Sequence, residues 1–128
     1  VVVAIDARQN EEGEWLIMTH GGSRATGIEL FSWAHEVQER GAGEILLTSM
    51  NHDGTRQGYP LDLFARFTAS LRIPVIASGG AGSVDHSVDA LTAGHADAAL
   101  AAGIFHYGEV SIREVKEALA AHGVPVRM

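Results

Sequence analysis

The sequence predicts an α/β fold of repeated strand–helix units around a parallel sheet, and three observations carry that expectation. An apolar segment, Glu44 to Ser49, runs straight into a polar loop holding Asp53, Gly54 and Thr55. About 25 residues later a second apolar segment runs into Ser78-Gly79-Gly80-Ala81-Gly82, a separation in keeping with consecutive βα units. The third observation is strand parity. Side chains alternate along a strand, so Glu44, Leu46 and Thr48 share one face while Ile45, Leu47 and Ser49 share the other. The first face has polar ends around an apolar middle. That suits the inside of a barrel with two wet mouths better than an open sheet covered by helices on both sides. A (β/α)₈ TIM barrel takes roughly 250 residues. A chain of 128 residues is therefore expected to be a half-barrel of four βα units forming a single unit over residues 1–128.

Each element follows from local pattern. The first strand is expected at Val1 to Ile5, with Asp6 at its end. Glu14 to Thr19, with Trp15-Leu16-Ile17-Met18 at its centre and bounded by Gly13 and Gly21-Gly22, reads as a strand within the first exit loop, so that loop is expected to fold into a covering hairpin. The first helix runs from about Ile28 to Arg40, placing Ile28, Phe31, Ala34 and Val37 on one face before Gly41 stops it. The second strand is Glu44 to Ser49, and Pro60 opens a helix reaching about Leu71, as its fixed φ permits. The third strand is Pro74 to Ala77. Its helix starts near Ser83, an N-cap with Asp85 in the first turn, and runs to Gly94. The fourth strand is Ala98 to Ala102, and the last helix spans about Ser111 to His122 before Gly123 and Pro125.

Composition narrows the function classes. Sixteen acidic against nine basic residues give a net charge of −7, with no basic cluster to neutralise a nucleic-acid backbone. Cysteine is absent, which removes disulfide and thiolate chemistry and fits a reducing compartment. No apolar run of membrane-spanning length occurs, so a soluble cytoplasmic protein is expected. The chain opens on Val1-Val2-Val3 without an initiator methionine, as a cut through a longer protein would. The seven histidines form no close ligand pair, and no metal or other cofactor is expected. Trp15 and Trp33 read as packing groups.

Four sets of residues are candidates for chemistry. Asp6 is either a general acid or base at a strand exit or a carboxylate capping a turn. Asp53-Gly54-Thr55 offers a carboxylate, a flexible backbone amide and a hydroxyl, though Asp-Gly is also an ordinary turn. Ser78 to Gly82 lies between a strand and a helix start, where glycines admit an anion to backbone amides; otherwise it is a tight turn needing positive φ. If the four strands are strands five to eight of a barrel, this loop and Ala102-Gly103 are the exits that recurrently bind phosphate in that fold. Glu44, a carboxylate at the lower end of an inward face, is either part of a polar gate or half of a salt bridge.

With these motifs in place, the chain closely resembles the carboxyl-terminal half of the cyclase subunit of imidazole glycerol phosphate synthase, the HisF family. The resemblance covers essentially the whole chain. It rests on Val2 to Ala7, Arg40 to Ser49, Asp53-Gly54-Thr55 with Gly58-Tyr59, Ile76 to Gly82, and Ala96 to Ala102 with Ile104-Phe105-His106. It implies that Asp6 is one of two catalytic aspartates. It implies that Asp53, Gly54, Gly80, Ala102 and Gly103 surround one substrate phosphate, with Thr48 and Ser78 lining the same mouth, and that Glu44 belongs to a charged ring admitting ammonia from a glutaminase partner. In such enzymes ammonia and a phosphoribulosyl-formimino aminoimidazole carboxamide ribonucleotide (PRFAR) yield imidazole glycerol phosphate and aminoimidazole carboxamide ribonucleotide (AICAR). Asn51, Pro60 and Gly103 depart from the family, which commonly has acids at the first two positions and serine at the third. The other catalytic aspartate and phosphate site belong to an amino-terminal half. The related isomerase of the pathway shares the Asp-Gly-Thr loop, but Thr48-Ser49 and Ile104-Phe105-His106 favour the cyclase. A contrasting expectation is a self-associating half-barrel that binds phosphate without turnover, driven by unpaired strand edges.

Overall fold

A computed structural model of the chain describes residues 1–128. Strands β1 (Val2–Gln9), β4 (Glu44–Ser49), β5 (Val75–Ser78) and β6 (Ala98–Leu100) form one parallel run. Two further strands, β2 (Trp15–Thr19) and β3 (Arg24–Glu29), join it as an antiparallel hairpin, giving the order β3-β2-β1-β4-β5-β6. The helices are α1 (Leu30–Glu39), α2 (Leu61–Ala69), α3 (Val84–Leu91), a short α4 (Gly103–His106) and α5 (Ile112–Ala121). Each parallel strand is followed by helix, so the four expected units are present.

The hairpin accounts for the largest departures from expectation. β1 continues past Ile5 to Gln9 because Asp6 to Gln9 pair with Met18 to Trp15. Asp6 therefore lies inside a strand, one residue before the parallel ladder to β4 ends at Ala7 and Ser49. β3 carries the chain through Ile28, which is 46% exposed, instead of starting a helix there. α1 begins at Leu30, where the Glu29 carboxylate accepts from the amides of Phe31 (2.6 Å) and Ser32 (3.0 Å). A carboxylate at a helix start satisfies orphan amides and complements the dipole. The hairpin extends the sheet beyond β1. Asn51 ties the β4 exit to it: its side-chain oxygen accepts from the Gln9 amide at 2.7 Å and its nitrogen donates to the Gln9 carbonyl at 3.1 Å. An aspartate could not make the second bond.

Smaller shifts occur elsewhere. β5 runs one residue later than expected, and β6 ends at Leu100 so that Ala102 becomes the residue before α4. Helices α2 and α3 stop at Ala69 and Leu91, short of Leu71 and Gly94. The Ser83 cap is as expected, and Ser111 with Glu114 forms a reciprocal capping box at the start of α5.

Packing is one-sided. Ile5, Ala7, Ile45, Leu47, Val75 and Ala77 share a buried cluster with Leu30, Ala34 and Val37 of α1, Leu63, Phe64 and Phe67 of α2, and Ala90 of α3. α5 adds Val115 and Leu119 against Val88 of α3. The opposite sheet face has no helix layer: Val2, Ala4 and Leu100 are exposed, and Leu46, Ile76 and Ala98 are half-buried. The parity expectation holds residue by residue along β4. Parallel sheets are ordinarily covered on both faces, and one bare face is consistent with half of a barrel. No helix is long and apolar enough to cross a membrane.

Candidate functional site

Register across the parallel strands aligns side chains of the open face in rows. Ala4, Leu46, Ile76 and Ala98 make the middle row, and Asp6, Thr48, Ser78 and Leu100 the row toward the strand exits. Strands lie about 4.8 Å apart, so Asp6 stands one strand from Thr48 and two from Ser78. Val2 and Glu44 are paired at the lower end. Asp6 and Glu44 are both half-buried, and neither takes part in the chain's four ion pairs.

The exits of β4, β5 and β6 converge on a cavity of about 210 Å³ lined by Asp53, Gly54, Ser78, Gly80, Ala102 and Gly103, together with Arg56, Gly79, Ala81, Leu100 and Ala101. Six of the seven expected phosphate-site residues are thus gathered in one place. Thr48 is the exception; its side chain points from the exit row but does not line the cavity. The amides of Gly54, Gly80 and Gly103 donate to no protein acceptor. A backbone amide without a protein partner demands a solvent or ligand acceptor, and the amides of Arg56, Gly79, Ala81, Ala101 and Ala102 on the same lining have none either. The Gly82 amide is different, because it donates to His86 Nδ1 at 2.9 Å and is already spent.

Both readings of Ser78 to Gly82 apply at once. Gly79 and Gly80 have φ of +95° and +121°, and a Cβ on Gly80 would lie 2.1 Å from the Gly58 carbonyl oxygen. The Gly58 amide donates to the Gly80 carbonyl at 2.7 Å, stitching the β4 and β5 exits together. Glycine is required for the turn and for this approach, and the same geometry leaves the Gly80 amide free.

Three residues absent from the expected site lie in the β4 exit, and of these Arg56 alone lines the cavity. Tyr59 donates its hydroxyl to the Leu100 carbonyl at 2.7 Å, fastening the β4 exit to the end of β6. Burial pushes its phenol up to about 12, against a smaller opposing effect from the Ser87 hydroxyl. His52 hydrogen-bonds through Nδ1 to the Ser49 hydroxyl at 2.7 Å, and burial lowers its pKa. Arg56, at φ +60°, is the one basic residue on the cavity lining, and Nη1 donates to both carboxylate oxygens of Glu109 at 2.6 and 2.7 Å. A basic residue just after Asp-Gly-Thr was the signal that could have identified it. No cluster of His, Asp and Glu side chains suited to holding a metal ion occurs.

A one-sided βα sheet with a small cavity at its strand exits defines the class: part of a β/α protein with a candidate site at the end where such folds bind ligands. The chain belongs to the family described as histidine biosynthesis protein, whose model matches residues 1–111. It is 56% identical over 128 residues to the imidazole glycerol phosphate synthase subunit HisF of Pelodictyon phaeoclathratiforme, an alignment covering 100% of this chain and 51% of that protein. It is 54% identical over 129 aligned residues to the subunit of the same name from Caulobacter vibrioides, covering 100% of this chain and 50% of the relative. The chain spans about half the length of these curated relatives.

Proposed function

We propose that the chain is the carboxyl-terminal half of a (β/α)₈ barrel, strands five to eight, and supplies half the active site of an imidazole glycerol phosphate synthase cyclase subunit in histidine biosynthesis. The observation that carries this reading is the cavity lined by residues whose backbone amides have no protein acceptor, at the same end of the sheet as Asp6. Its volume is below the few hundred Å³ of a whole small-ligand site, which suits one phosphate group of a larger ribonucleotide. In this reading Asp6 is the proton-transferring group on the open face, and Thr48 and Ser78 present hydroxyls between it and the phosphate. Glu44, at the opposite end of that face and without an ion-pair partner in the chain, belongs to the charged entrance for ammonia delivered by a glutaminase subunit. The other catalytic carboxylate, the second phosphate site and the missing wall come from an amino-terminal half.

The test is an ammonia-dependent cyclase assay on PRFAR with and without that half supplied. Turnover is expected only in the completed barrel, and Asp6→Asn is expected to reduce it about 10²–10⁴-fold, the usual loss for one positioned acid or base. Near-normal turnover in the variant removes Asp6 from catalysis, and robust turnover by the chain alone removes the dependence on a second half.

A second reading, phosphate binding by a self-associated half-barrel, is supported by the bare sheet face and by apolar clefts beside the first and last strands of the parallel run. One, of about 380 Å³, lies beside β6 among Leu91, Ala99, Phe105 and Val115. The other, of about 280 Å³, lies beside β1 among Val1, Val3, Trp33 and Val37. A compact monomer in sedimentation at micromolar concentration would remove it.

A further inference from the structure

Arg56 is placed over the cavity by constraints stronger than its exposed side chain would suggest. Its backbone lies in the left-handed region at φ +60°, which few residues other than glycine, asparagine and aspartate occupy. Its carbonyl oxygen packs against Gly82, where an added Cβ would lie 2.3 Å away. Its guanidinium hangs beside Gly103: a Cβ there would lie 3.3 Å from Nη2, tight enough to push on it. Glycine at 103 thus forgoes a hydroxyl and leaves room for a cation. The lining otherwise carries the Asp53 carboxylate, so without Arg56 the cavity would repel an anion.

The guanidinium is also engaged from outside. Glu109, on the turn after α4, receives both hydrogen bonds from Nη1, while Nη2 makes none. Both side chains are 43% exposed, so solvent screens the pair and little is lost on breaking it. A phosphate dianion in the cavity offers the same planar fork more charge and more acceptor oxygens than a carboxylate.

We propose that Arg56 is the cationic ligand of this cavity and that Glu109 is its latch, holding the guanidinium at the rim when the cavity is empty and competing with phosphate for it when the cavity fills. This rests on the phosphate reading of the same cavity. The latch keeps the arginine ordered near its ligand and lowers affinity for a bound phosphate, which aids release.

The experiment titrates inorganic phosphate into the ¹⁵N-labelled chain at low ionic strength and follows the amides of Gly54, Gly80 and Gly103. Arg56→Gln is expected to weaken binding about 10-fold or more, the scale of a charge-assisted hydrogen bond. Glu109→Gln is expected to tighten it roughly two- to five-fold, the scale of an exposed ion pair. In the double variant the Glu109→Gln gain should disappear, because the latch acts through Arg56. Unchanged affinity in Arg56→Gln, with the three amides still shifting, overturns the ligand role and leaves the phosphate site standing. An equal gain from Glu109→Gln with and without Arg56 overturns the latch, since it would mean simple repulsion. Absence of shifts at these amides in both the unmodified chain and Glu109→Gln overturns the phosphate reading and the proposal with it. If Arg56→Gln does not fold, Arg56→Lys, which keeps the charge and loses the fork, is expected to bind more weakly than the unmodified chain; equal affinity overturns the assignment.

Discussion

The two faces of the sheet are made by the same strands, yet one is a finished core and the other is unfinished. On the covered face Ile45, Leu47, Val75 and Ala77 have no solvent exposure, and the aromatic rings of Phe64 and Phe67 lie against them. On the other, Leu46 and Ile76 sit between the same neighbours in the ladder and remain half-buried, while Val2 and Leu100 are 52% and 41% exposed. Hydrophobicity alone does not separate Leu46 from Leu47. What differs is the partner: the helices of the chain close over one face, whereas the other has no covering layer. The polar residues follow the same division. Asp6, Thr48 and Glu44 occupy the open face at its two ends, where a completed barrel would be wet, and the covered face admits almost none.

Truncations in the two faces should therefore differ most. Phe67→Ala removes a fully buried ring that also meets Phe31 edge-on at 5.6 Å. It is expected to cost about 3–5 kcal/mol in chemical denaturation. Leu46→Ala, measured where the chain is monomeric, should cost under about 1 kcal/mol, since solvent already reaches it. Equal costs would show that the open face is covered. If copies associate through that face, the Leu46→Ala cost should rise with protein concentration while the Phe67→Ala cost does not.

The seam at the strand exits should behave like the covered face, although it carries the candidate site. Gly80→Ala brings a methyl against the Gly58 carbonyl in a backbone region that alanine avoids. A loss of about 2–4 kcal/mol is expected, from steric overlap together with left-handed strain. A variant as stable as the parent would mean that the two exit loops separate easily. Tyr59→Phe deletes the hydroxyl that holds the Leu100 carbonyl and should cost about 1–2 kcal/mol by thermal or denaturant unfolding. No change there would show that the carbonyl finds water and that the β4 exit does not anchor β6.

The smallest expected effect is a pH dependence from His52. Burial holds its folded pKa below the unfolded value of 6.5, so the unfolded chain binds the proton more readily in the interval between them. The contribution is fully present above pH 6.5 and is lost as pH falls through the folded value. His52→Gln should flatten that part of the stability–pH curve. An unchanged slope would assign the acid sensitivity to other groups.

Alternation and turn chemistry were enough to identify the four units and the inward set Glu44, Leu46 and Thr48, because the period of two is set by backbone geometry within a single strand. The Ser83 cap and the Gly41 and Gly123 stops were legible for the same reason: capping is satisfied by atoms a few residues away. Asp6, Asp53, Gly80 and Gly103 were legible as candidates from their positions after apolar runs, and from the likeness of those runs to a known family. The tertiary structure decided the rest. β1 reaches Gln9 because the nearby strand Trp15 to Met18 pairs with it and Asn51, 42 residues away, bonds its end, and no local pattern records a partner as distant as Asn51. Arg56, on the cavity lining, is held by Glu109, 53 residues away, and Tyr59 fastens the β4 exit to Leu100, 41 residues away. Such contacts exist only once the sheet has set its register, since a one-residue slip would turn every side chain of a strand to the other face.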